Sequence, residues 1–198
     1  MKCLKMLGLV AVAASALIAF TGTASATTWY SPVGTPLKVG DTVHTVSPAW
    51  VHTVLDSPIG KIECNHTAHY VITNAGGNHG GAGPTTPVRA SVSTNFTNCT
   101  TATVHVLKSG TLSATSSGGG KNTLSSTGAE WTIETFGLHC VYATNNTAIG
   151  TLTGGSPASI AISATIPRTG GKSGAFCGSS APLTGSSTVT SPNPLIVS

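Results

Sequence analysis

The sequence predicts an all-β, single-domain protein, built as a sandwich or a partly open barrel and held by two disulfides. No segment has the sustained apolar spacing of an amphipathic helix, whereas short alternations of apolar and polar residues recur along the chain. Residues that favour turns separate these alternating segments. Cysteines are spread through the same region, which is typical of a disulfide framework in an exported protein.

The alternation identifies the strands, and residues 158–166 are the clearest case. Ile160, Ile162 and Ile166 fall on one face there, small or polar residues fall on the other, and prolines bracket the segment. The same pattern predicts strands at 42–46, 61–73, 88–96, 103–107, 130–136, 139–143, 149–153 and 186–190. Glycine-rich residues predict loops at 74–87 and 116–122, and the two ends of the mature chain are expected to be flanking arms.

Residues 1–26 have the three parts of a secretory signal peptide. Lys2 and Lys5 form the basic start, residues 6–20 are apolar, and Ala24-Ser25-Ala26 is a small-residue cleavage site. The apolar part is shorter than the ~20 residues that a membrane span needs. We therefore expect a protein that is secreted or displayed at the cell surface, with residues 27–198 as its single domain.

Removal of the signal peptide leaves four cysteines: Cys64, Cys99, Cys140 and Cys177. An even number in an exported chain predicts two disulfides, which could connect in three ways. The first two are 35 residues apart and the last two are 37 apart. These similar spacings favour sequential pairing, which closes two loops of almost equal length.

Charged residues are scarce and Ser, Thr and Gly are abundant. Asp, Glu, Lys and Arg make up 7% of the chain, against about a quarter in an average soluble domain. The formal net charge is +4, and loss of Lys2 and Lys5 lowers it by two. The remaining basic residues are scattered singly, so no nucleic-acid footprint is predicted. Weak self-repulsion and few charges to protect strand edges favour self-association.

No constellation predicts catalysis, a metal or a cofactor. Cys64 and His66 would share one strand face, but His69 would point the other way, which does not suit a metal site. Glu130 and Glu134 would lie roughly 13 Å apart along a strand, too far for a glycosidase pair. We expect both carboxylates to face solvent, opposite a buried Trp131.

Three aromatic residues near the mature N-terminus are candidates for ligand binding: Trp29, Tyr30 and Trp50. Their rings could stack on a sugar or contact an apolar molecule. The alternative, which we favour, is that each ring closes an end of the β core.

The layout of the chain resembles that of small exported bacterial proteins of the "protein activator of alkane oxidation" type. The resemblance lies in the early Pro32-Val33-Gly34, the first cysteine in a Gly-containing strand, and the ending from Gly185 to Pro192. It implies an exported, β-rich, non-catalytic protein of the cell surface or biofilm matrix.

The expected function is therefore that of a non-catalytic secreted protein of the cell surface or extracellular matrix, adhesive or self-associating. The alternative is a module that binds a carbohydrate or an apolar ligand. An enzyme is the least expected class.

Overall fold

The computed structural model describes residues 27–31, 34–48, 53–57, 60–77, 86–169 and 176–198. The predicted signal peptide and Trp50 lie outside these residues. The fold is all-β and contains both predicted disulfides, Cys64–Cys99 and Cys140–Cys177. The described strands are β1 (Trp29–Tyr30), β2 (Thr42–Val46), β3 (Thr53–Ser57), β4 (Gly60–Ala75), β5 (Val88–Thr97), β6 (Thr103–Lys108), β7 (Gly110–Gly118), β8 (Lys121–Thr127), β9 (Glu130–Thr135), β10 (Leu138–Ala143), β11 (Thr147–Thr153), β12 (Ser159–Pro167), β13 (Ser180–Ser191) and β14 (Ile196–Val197).

Eight strands form a closed barrel in the order β12, β11, β8, β7, β5, β4, β2 and β13. The barrel closes because β13 pairs antiparallel with β12 from Thr188 opposite Ser159 to Ser180 opposite Pro167. Short strand β3 also lies between β4 and β13, so β2 and β3 together fill one position in the wall. The barrel is thus closed, whereas the sequence left a sandwich or a partly open barrel as alternatives.

Strand β4 shows how the alternation builds the interior. Its buried residues occur at every second position and are Ile62, Cys64, His66, Ala68, Tyr70 and Ile72. Strand β12 behaves as the sequence predicts, because Ile160 and Ile166 are buried while Ser159, Ala161, Ser163 and Thr165 are exposed. Both strands place mainly apolar side chains inside the barrel and mainly polar ones outside, with His66 as an inward polar residue.

A three-stranded sheet of β6, β9 and β10 covers one end of the barrel, and we call it the cap sheet. Its Ile133 and Tyr142 pack with Ile62, Ile166 and Leu183 of the barrel in one core cluster. Both disulfides belong to this cluster. Cys140 of the cap sheet is bonded to Cys177, which precedes β13, so a covalent link ties the cap sheet to the barrel wall.

Residues near the start of the described chain meet the C-terminal residues at the opposite end of the barrel. Strands β1 and β14 pair antiparallel, with Trp29 opposite Val197. Trp29 and Leu195 are buried in the second core cluster, together with residues of β2, β4, β5, β7, β8, β11, β12 and β13. The expected flanking arms therefore include a pair of strands that closes this end of the core.

Strands β7 and β8 were not predicted, although their turn at Gly119 falls in a predicted loop. Their inward residues include Leu112, Ala114 and Leu124, but Ser and Thr occupy most other positions. A barrel wall needs only every second residue to be apolar or small, so such strands have a weak apolar signal.

Glycine at position 150 is required by the contact between β11 and β12. Gly150 lies at a register shift of β11 with φ of +153°, and a Cβ atom there would collide with the carbonyl oxygen of Ala161. Gly118 also has a positive φ, +81°, but a Cβ atom there would meet nothing within 4 Å. A comparison of alanine substitutions at these two glycines separates the free-energy cost of the steric collision from the cost of a positive φ.

We predict that Gly150→Ala lowers the free energy of unfolding by about 2 kcal/mol more than Gly118→Ala does, because only the first substitution forces two strands apart. Urea denaturation of both variants measures the difference. Equal losses of stability would contradict the described contact of β11 with β12.

Candidate functional site

The barrel contains a cavity of about 70 Å³ between its two core clusters. Its wall is mainly apolar, with Val92, Leu112, Ile149, Ile160 and Ile162 contributed by the barrel strands. Trp131 of the cap sheet lines the same cavity. A volume of about 10–15 Å³ is enough for one water molecule. The cavity is several times larger, so it can hold a molecule of several non-hydrogen atoms.

One histidine, His66, belongs to the described lining of this cavity, and several contacts hold its ring in place. It lies in the middle of β4, faces inward and is 5% exposed. The Thr53 hydroxyl lies 2.9 Å from its Nδ1, and the Ser187 hydroxyl lies 3.2 Å from its Nε2 and 3.5 Å from its Nδ1. The ring also stacks on Phe96, with centroids 6.0 Å apart. Contacts with these two hydroxyls fix the orientation of the imidazole.

Burial lowers the pKa of His66 from 6.5 to about 4. At neutral pH the ring is therefore uncharged, with one nitrogen that donates and one that accepts. The Ser187 hydroxyl is within hydrogen-bond distance of His66, as a nucleophile is of its base, but the other partner of the ring is Thr53 and not a carboxylate. This arrangement provides a neutral hydrogen-bonding group in an apolar space.

Two further polar atoms lie buried where the cap sheet meets the barrel. The indole Nε1 of Trp131 and the hydroxyl of Tyr142 have no hydrogen-bond partner among the described protein atoms. Both side chains line a smaller void of about 20 Å³ next to the cavity. A buried donor without a partner is unfavourable, so these atoms mark places where a bound molecule could accept a hydrogen bond.

The aromatic residues singled out in the sequence lie elsewhere. Trp29 is 3% exposed at the opposite end of the barrel, and its indole donates a hydrogen bond of 2.7 Å to Asn122. Tyr30 is half-buried beside it. The structure brings these two together and leaves no face of the Trp29 ring open to solvent. Trp50 lies outside the described residues.

The expectation for the carboxylates of β9 is wrong in one respect. Glu130 is buried, not solvent-facing, and its carboxylate forms an ion pair of 3.0 Å with Lys108 of β6. Glu134 is 40% exposed and contacts His139 at 3.1 Å. Trp131 is only half-buried. The alternation rule failed at Glu130 because β9 is the central strand of the cap sheet and Glu130 lies opposite Lys108 of β6, at a shift in the strand register.

Sequence reasoning missed His66 as a site residue. The signal that could have found it is its place in the inward row of β4, between Cys64 and Ala68, where it is the one basic side chain in a mainly apolar series. Within the described ranges, no three His, Cys, Asp or Glu side chains are grouped to hold a metal ion. Nor does the described part of the chain include a helix long and apolar enough to cross a membrane.

The chain matches no protein-family model, no curated protein and no solved structure. Its function must therefore be argued from the geometry of the barrel.

We predict that His66 makes the protein less stable in acid. Between pH 6.5 and pH 4 the unfolded chain takes up a proton at this histidine and the folded chain does not, so stability falls as the pH falls, by about 1.4 kcal/mol per pH unit. Above pH 6.5 both states are neutral at this site and the contribution is flat. Urea denaturation across this pH range measures the slope.

His66→Gln should remove this contribution, and His105→Gln, at an exposed position of the cap sheet, should leave it in place. Identical slopes for the wild type and His66→Gln would show that His66 is not held neutral by burial.

Proposed function

We propose that the protein is an exported, non-catalytic binding protein for a small, mainly apolar molecule, which occupies the cavity inside the barrel. The observation that carries this proposal is the cavity of about 70 Å³, whose described wall is mainly apolar and includes one neutral imidazole in contact with two hydroxyls. Apolar surroundings with a few fixed polar groups are the usual composition of a small-molecule site.

The size of the barrel supports the same conclusion. Eight strands enclose an interior that side chains can just fill, or that can hold one small ligand when they do not. Here only a void of about 10 Å³ is left at the end closed by β1 and β14, while more space remains between His66 and the cap sheet. A ligand would therefore lie under the cap sheet.

The unpaired donor of Trp131 limits the chemistry of the ligand. An indole N–H can only donate, so a ligand with one acceptor, such as a ketone, an ether or an alcohol, satisfies it. A charged ligand is disfavoured, because the described residues of the cavity wall offer no opposite charge to compensate for the loss of water.

The two disulfides also agree with a secreted binding protein. Two disulfides persist in an oxidising environment and are rare in the cytosol. The secretory signal peptide remains a prediction from residues 1–26.

We predict that short alcohols, ketones and small aromatic molecules bind saturably, raise the melting temperature and shift the tryptophan fluorescence. Val92→Phe should abolish this binding, because the larger side chain fills the cavity. Val39→Phe, at a position that is 67% exposed, is the matched control and should bind as the wild type does.

Trp131→Phe refines the test, since it removes the donor and keeps most of the ring. This substitution should lower the affinity for 2-hexanone about tenfold, because one hydrogen bond of about 1.4 kcal/mol is lost, and leave the affinity for benzene unchanged. Failure of every compound to bind, or binding that Val92→Phe does not reduce, would refute the proposal.

A second candidate function, adhesion or self-association at the cell surface, is favoured by one observation. Phe136 is 91% exposed at the two-residue turn between β9 and β10, with φ of +46°. Turns of this kind favour Asn or Gly, so an aromatic residue here gains nothing for folding. Phe176, next to the Cys140–Cys177 disulfide, is 73% exposed. Exposed rings of this size are common in contact surfaces.

We predict for this second function that Phe136→Asn lowers the tendency to associate and does not destabilise the monomer, because Asn suits the turn. Sedimentation velocity over a range of protein concentrations measures association, and Val39→Asn is the control. A wild-type protein that stays monomeric throughout would remove self-association from consideration.

A further inference from the structure

A second candidate site lies on the outside of the barrel, where the wall is formed by β13, β2, β4 and β5. A groove of about 400 Å³ opens there, and we call it the wall groove. It is distinct from the cavity, because the outward residues of β4 that line it, Thr67 and His69, alternate with inward residues such as His66. The strand register of β13 against β2 shifts at this point, between Val189 and Ser191.

The pairing of the four strands places polar side chains in a row across the wall groove. Ser191 is opposite His44, His44 is opposite His69, and His69 is opposite Ser93. Neighbouring strands are about 4.8 Å apart, so this row is about 14 Å long. It is long enough to contact more than one ring of an extended ligand.

A second, parallel row follows two residues along each strand. Val46 is opposite Thr67, and Thr67 is opposite Asn95. The wall groove therefore has hydroxyl and amide groups along both of its rows, and these groups can donate as well as accept hydrogen bonds.

The two histidines give the wall groove a flat surface and a polar atom that lacks a protein partner. The rings of His44 and His69 stack with centroids 3.9 Å apart and 30° between their planes. The Nε2 of His69 is buried and has no hydrogen-bond partner among the described protein atoms. Because the rings lie one on the other, they do not converge on one point as two metal ligands would.

The described residues that line the wall groove include no Asp, Glu, Lys or Arg. Phosphate, sulfate or carboxylate groups would need charge-assisted bonds that this lining does not supply. An apolar ligand would bury the hydroxyls without replacing their hydrogen bonds to water. A ligand with many hydroxyls and no charge meets neither obstacle.

We propose that the wall groove binds a neutral saccharide, with one sugar ring against the His44–His69 stack and a hydroxyl bonded to Nε2 of His69. This site is independent of the cavity inside the barrel, and neither site requires the other to be occupied.

The test uses the full mature protein on an array of neutral and anionic glycans, followed by calorimetric titration with the neutral oligosaccharide that gives the strongest signal. His69→Phe keeps a stacking ring and removes Nε2, so it should weaken binding at least tenfold. His105→Phe makes the same change on the cap sheet, outside the wall groove, and should leave the affinity unchanged. Thr67→Val, at an exposed position, tests a second contact and should also weaken binding.

Circular dichroism and the melting temperature show whether each variant is folded. Binding confined to anionic glycans, no binding to any neutral glycan, or equal affinity of wild type, His69→Phe and Thr67→Val would overturn the proposal. Val92→Phe, which fills the interior cavity, should not change saccharide binding, so failure at one site is distinguishable from failure at the other.

Discussion

Closure of the barrel is the constraint on which the rest of the structure depends. The pairing of β12 with β13 joins the first and last strands of the sheet order, and β2 and β3 together complete the wall between β4 and β13. Once closed, the wall satisfies its own backbone hydrogen bonds and leaves no open edge in the barrel. Every second residue of each strand then faces a shared interior, which turns a weak alternation in the sequence into a core.

Closure also explains how a chain with so few charges can remain folded without the usual protection of strand edges. Charged side chains at edges prevent unwanted pairing in open sheets, and a closed barrel needs fewer of them. The outer wall can then consist of Ser and Thr, whose hydroxyls keep it hydrated. The same lack of charge leaves the described lining of the wall groove neutral, so its surface chemistry depends on hydroxyls and rings.

The two ends of the barrel are closed by different means, and this difference places the cavity. At one end Trp29 and Leu195 fill the interior and Trp29 is hydrogen-bonded to Asn122. At the other end the cap sheet covers the barrel and is tied to it by the Cys140–Cys177 disulfide. The cap sheet does not fill all the space beneath it, so His66 lies beside a cavity with an unpaired indole donor above it. A molecule entering from this side would have to displace part of the cap sheet.

The sequence by itself determined the all-β class and strands such as β12, because alternation is a local property of the chain. The similar cysteine spacings favoured the pairing that the structure contains. The sequence did not reveal β7 and β8, whose Ser and Thr residues carry little apolar signal. Only the tertiary structure decided that the sheet closes, that Glu130 is buried against Lys108, and that His66 is held neutral beside a cavity. These features depend on contacts between strands far apart in sequence, and no local pattern records which distant strands will meet.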